Sequence, residues 1–96
     1  MITGNPLDTA HALKAGDTAL VTFNDYKKLR SFQVQLSDYN ILVAKKLNLF
    51  IHISTKKHLL QAYLVATTAD EREAELKDSS LIREWRKKIP EEWLRL

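Results

Sequence analysis

Thr68 and Glu71 stand at the spacing of a capping box, in which a hydroxyl oxygen and a Glu at the third helical position satisfy exposed backbone donors reciprocally. The charges that follow are ordered. Asp70, Glu71, Glu73, Glu75 and Asp78 come first, and Arg83, Arg86, Lys87 and Lys88 come last. Acid at the N-terminus and base at the C-terminus suit the helix dipole. The pattern predicts helix over 66–89, starting near Thr68, within a helical C-terminal segment spanning 68–96. Ser79 and Ser80 interrupt it and are positions for a bend. Ile82, Trp85, Ile89, Trp93 and Leu96 step by three, four, four and three, which makes one apolar stripe on a helix. Pro90 lies within the stripe. It either kinks the helix or opens a new turn ahead of Glu91 and Glu92.

Ninety-six residues are enough for one domain and too few for two cores. With 45% hydrophobic and 28% charged residues, the composition is that of a folded chain rather than a disordered one. There is no Cys, which excludes disulfides and thiolate metal sites. No apolar run reaches the roughly 18 residues of a membrane span. Residues 1–15 lack a basic stretch followed by an apolar one, so no signal peptide is expected there. The cytoplasm is the expected location.

Residues 1–5 are expected to be flexible, since Gly4, Asn5 and Pro6 are turn formers. Pro6 and Asn5 open a short helix over 7–14, which Gly16 and Asp17 end. Residues 18–23 are β-branched and apolar and read as a strand. Residues 25–47 carry two patterns. Leu29, Phe32, Leu36, Tyr39 and Val43 share a helical face, while Phe32, Val34 and Leu36 alternate with polar residues as in a strand. Asn48, after Lys45 and Lys46, suits a left-handed C-cap, and residues 49–53 read as a buried strand. Strand, helix, loop, strand is the order of a crossover with parallel strands, and an antiparallel meander over 18–54 is the rival. Ser54 or Thr55 then caps a segment read as helix over 56–66, although Leu59, Tyr63 and Val65 serve a strand equally well. The expected fold is α+β: a small, helix-rich single domain with two or three strands and a long C-terminal helix. Its mixed α/β body spans residues 6–67.

Little in the chain points to catalysis. His11, His52 and His58 have no metal-ligand spacing, and only two Gly are present, too few for a phosphate-binding loop. No enzyme activity, cofactor or metal is expected. The net charge is +3, and the positive excess lies in the body: residues 1–67 carry eight basic and four acidic groups. Lys56, Lys57 and His58 would sit in the first turn of the helix over 56–66, where the dipole disfavours them. Together with Lys27, Lys28 and Arg30 they form a candidate anion or nucleic-acid surface.

The expected function is that of a non-enzymatic adaptor, regulator or inhibitor. It would dock another protein, or a second copy of itself, through Ile82, Trp85, Ile89, Trp93 and Leu96. Trp is enriched at binding hot spots. A nucleic-acid-binding module using the basic body is the alternative.

Overall fold

The structure, a computed structural model, describes residues 6–78 and 84–96. Among these residues the elements are α1 (Pro6–His11), β1 (Thr18–Thr22), α2 (Tyr26–Leu42), β2 (Leu49–Lys56), β3 (Gln61–Thr68), α3 (Ala69–Lys77) and α4 (Glu91–Leu94). Tight 3-10 turns cover Ala44–Leu47, Lys57–Leu59 and Glu84–Lys88. The strands form one sheet in the order β1, β3, β2. β3 pairs antiparallel with both neighbours, opposing Val65 to Thr18 on one side and to His52 on the other. β1 and β2 therefore run in the same direction, joined by α2. The crossover expected from the sequence is present, but β3 enters between its strands, so every pairing is antiparallel.

Residues 25–47 are mainly helical rather than stranded. Asp25 caps α2 by accepting the Lys28 N–H at 2.8 Å. Leu29, Phe32 and Leu36 are buried, and they join Ile51, Leu64 and Ala66 in the main core, with α1 adding Ala10 and the following loop Leu13. After Leu42 the chain tightens into the Ala44–Leu47 turn. Asn48 closes it in the left-handed conformation, φ 57°, as its position after Lys45 and Lys46 suggests. Asn48 then reaches the start of α3: its carbonyl accepts from Ala69 N–H at 3.1 Å and its side chain from Asp70 N–H at 3.3 Å.

The helix expected over 56–66 is instead the end of a β-hairpin. β2 runs to Lys56, Leu60 turns the chain with φ 52°, and β3 follows at once. The reason lies in the position of β3 at the centre of the sheet. Ala62, Leu64 and Ala66 face α2, while Val65 and Thr67 are buried on the opposite side. A strand buried on both faces loses its apolar–polar alternation, and the remaining apolar spacing imitates a helix.

The long C-terminal helix is also corrected. β3 extends to Thr68, α3 ends at Lys77, and α4 is a single turn beginning after Pro90. The expected cap is present, since Thr68 Oγ1 accepts from Glu71 N–H at 3.1 Å. Thr68→Ala is expected to cost about 0.5–2 kcal/mol in urea denaturation; an unchanged midpoint would remove the cap from the stability of this junction. Of the alternatives at Pro90, the chain adopts the new turn, with the Pro90 carbonyl accepting from Trp93 N–H at 3.1 Å. The segment from Trp85 onward covers the sheet face opposite α2, packing Ile89 and Trp93 on Val65. The sheet thus lies between two layers.

Candidate functional surfaces

The C-terminal stripe is mostly turned inward. Ile89 is 3% exposed and Trp93 5%. The Trp93 indole donates to Gln61 Oε1 at 3.0 Å and meets Tyr63 edge-on at 5.3 Å. Lys56 Nζ lies 5.6 Å from its centroid and donates to the Leu94 carbonyl at 2.6 Å. Trp85 is half-buried, stacked on His52 with centroids 4.6 Å apart. Leu96 is exposed, and its carbonyl accepts from His58 Nε2 at 2.8 Å. Ile82 lies outside the described residues. The stripe residues seen here chiefly fasten the end of the chain to the sheet.

Lys27, Lys28 and Arg30 are exposed on the first turns of α2. Lys57 Nζ lies 4.4 Å from the centroid of Tyr26, the first residue of that helix. Lys57, from the second basic run, therefore stands beside the turn of α2 that also carries Lys27 and Lys28. Lys56, Lys57 and His58 do not occupy a helical first turn, however. They sit at a strand end and in a tight turn, so the anion-site argument from a helix N-terminus does not apply to them. Lys56 and His58 are engaged with carbonyls of the C-terminal segment.

His52 occupies a site that its sequence context did not reveal. It is buried on the Trp85 side of the sheet, between that indole and Phe50, whose ring meets it at 4.8 Å. Its Nε2 lies 3.0 Å from Thr67 Oγ1, and the Thr67 hydroxyl in turn donates to the Thr68 carbonyl at 3.4 Å. Burial, and secondarily the charge of Arg72, lower the His52 pKa from 6.5 to about 4. The ring is therefore neutral near pH 7 and acts as a polar anchor under Trp85. A cleft of about 310 Å³ opens beside it, lined by Asn40, Phe50, Arg72 and Trp85 among others. The histidines stand apart, with His11 stacked on Tyr39, and among the described residues no group of three or more His, Cys, Asp or Glu is placed to hold a metal. Nor is any described helix long and apolar enough to cross a membrane.

A second cleft, of about 360 Å³, separates the end of α2 from α3. Leu49, Phe50 and Ala69 line it, Lys45, Arg72 and Glu73 supply its charges, and Ile41 and Leu76 flank it. These two flanking residues are 67% and 68% exposed. Along the chain Leu42, Val43 and Leu47 are exposed as well. The signal for this surface was present in the sequence: Ile41 and Leu42 fall off the stripe of Leu29, Phe32, Leu36 and Tyr39, and Leu76 is the one large apolar residue of α3. No protein-family model matches this chain, and no match was found among curated proteins or solved structures.

Proposed function

We propose that the protein is a small, non-enzymatic protein-binding module whose docking surface is the cleft between the end of α2 and α3. The observation that carries this reading is the exposure of Ile41 and Leu76 on the two sides of one cleft. Other large apolar side chains are exposed as well, Val34 and Leu47 among them, but Ile41 and Leu76 face each other across a concavity, and apolar groups left in water around a concavity are what a protein interface uses. Lys45 and Arg72 outnumber Glu73 in its lining, and Lys46 is adjacent. The fitting partner is an apolar segment flanked by acidic residues. Combining Ile41→Asp with Leu76→Asp is expected to abolish capture of the partner from a native lysate while leaving the circular dichroism native and lowering Tm only modestly, since acid in the last turn of a helix costs about 0.3–1 kcal/mol. Both side chains are largely in solvent, so the core loses nothing with them. Retention of every captured protein by the double variant would refute the cleft, and selective loss with Trp85→Ala would return docking to the C-terminal segment.

A second reading rests on the approach of Lys57 to Tyr26. Lys27, Lys28 and Lys57 together form a cationic end suited to a nucleic-acid backbone. Phosphate contacts are salt-sensitive, with a slope of about −0.9 in log K against log salt for each phosphate neutralised on duplex DNA. Fluorescence anisotropy with a labelled duplex oligonucleotide is expected to show such a slope, and Lys57→Glu to reduce it. Binding that ignores salt would discard this reading.

A further inference from the structure

The two edges of the sheet are treated differently. On β2, the Asn40 side chain behaves as one residue of an extra strand: its Oδ1 accepts from Ile51 N–H at 2.9 Å and its Nδ2 donates to the Ile51 carbonyl at 3.0 Å. This buried amide occupies the middle of that edge, which is one way proteins keep an edge from pairing with other chains. On β1 nothing comparable appears among the described residues. Ala66 N–H donates to the Asp17 carbonyl at 2.9 Å and Phe23 N–H to the Leu60 carbonyl at 2.8 Å, so the alternate residues Thr18, Leu20 and Thr22 turn their N–H and C=O groups away from β3. All three are exposed, Leu20 at 45%. The strand reads Thr-Ala-Leu-Val-Thr and holds neither Lys nor Pro, the usual residues that blunt an edge.

A cleft of about 310 Å³ lies at the Thr22 end of this edge. Leu7, Phe23 and Phe32 form its apolar part, and Asn24, Lys28 and Gln35 are among its polar residues. We propose that β1 accepts an extended segment of another polypeptide as a fourth strand, with an apolar side chain of that segment in the Phe23–Phe32 cleft and an acidic residue beside it facing Lys28. Main-chain bonds would supply affinity and the cleft and Lys28 selectivity, as in other strand-addition complexes. Charge favours an acidic residue beside the apolar one: Lys28 lines the cleft with Lys27 its neighbour, no described lining residue is acidic, and the nearby Asp25 carboxylate is engaged with the Lys28 N–H at 2.8 Å. A second copy pairing antiparallel through its own β1 would satisfy Lys28 with Asp17, but Asp17 and Thr18 would leave the apolar recess empty, so an apolar residue beside the acid is required. The proposal shares with the α2–α3 cleft only the assumption that the ligand is a polypeptide.

Selection of a displayed library of random linear peptides on the full chain tests it. Enriched peptides are expected to alternate apolar residues and to carry Asp or Glu beside one of them. Their binding should shift the amide resonances of Thr18, Leu20 and Thr22. Leu20→Pro removes an outward N–H without touching the β1–β3 ladder, and proline is tolerated on an edge strand. It is expected to weaken binding by about tenfold, as is N-methylation of alternate peptide amides. If Leu20→Pro fails to fold, the N-methylated peptide decides alone. Ile41→Asp should leave this binding intact, which separates the two surfaces. Absence of enrichment, insensitivity to both main-chain blocks, or self-association that Leu20→Pro abolishes would each overturn the proposal.

Discussion

Trp93→Ala is expected to lower the unfolding free energy by about 3–5 kcal/mol, the cost of truncating a buried aromatic that its surroundings do not refill. The indole is almost fully enclosed and packs with Ile89 on Val65 of the central strand. Its removal also leaves Gln61 Oε1 without the donor at 3.0 Å and takes the ring from beneath Lys56. The covering layer on this face is thin, a 3-10 turn and one turn of helix, so little else compensates. Trp85→Ala, at a half-buried ring, should cost less. Urea unfolding of the two variants checks this order. A loss below about 1 kcal/mol for Trp93 would mean that the C-terminal segment contributes little to the fold.

Acidification is expected to remove about 3 kcal/mol through His52 alone. The folded ring titrates near 4 and an unfolded histidine near 6.5. Above about pH 6.5 the imidazole is neutral in both states, and its contribution is complete. As the pH falls through this window the unfolded chain takes up a proton that the buried ring refuses, and stability declines until about pH 4, where both states bind it. His52→Gln keeps a polar group able to bond Thr67 Oγ1 and has no titration of its own. Stability of the parent chain measured from pH 7 to pH 4 should therefore fall more steeply than that of the variant. Parallel curves would show that His52 is not buried neutral as described.

Features set by local rules were readable from the sequence. The Thr68 cap, the left-handed Asn48 and the Leu29–Phe32–Leu36 face each depend on residues a few positions apart, where capping and helical periodicity operate. β3 was readable only as the alternative to a helix, because burial on both faces erases the alternation that marks a strand. The C-terminal stripe was misleading for a related reason. Trp85 belongs to a tight turn, Ile89 follows it and Trp93 lies in a separate helical turn beyond Pro90, yet an i, i+4 spacing cannot distinguish them from one helix. The candidate surfaces divide in the same way. Lys27, Lys28 and Arg30 were recognisable as a basic run, whereas the approach of Lys57 to Tyr26 requires the sheet to bring two distant turns together. The exposed pair at the second cleft was visible only as apolar residues with no place on a core face.

The central position of β3 also governs the order in which the chain can assemble during synthesis. β1, α2 and β2 leave the ribosome before residues 61–68, yet neither outer strand has its sheet partner until those residues emerge. β2 and β3 are joined by a tight turn, so their hairpin closes a short loop and incurs little entropy loss. β1 must then return across the whole of α2 and β2 to reach β3, at a larger entropic cost. Phe23 can meet Phe32 within the N-terminal half, but Val21, Leu29 and their neighbours lack the sheet surface that completes their burial until the hairpin forms. That interval is when a chain of this topology most needs shielding from its neighbours.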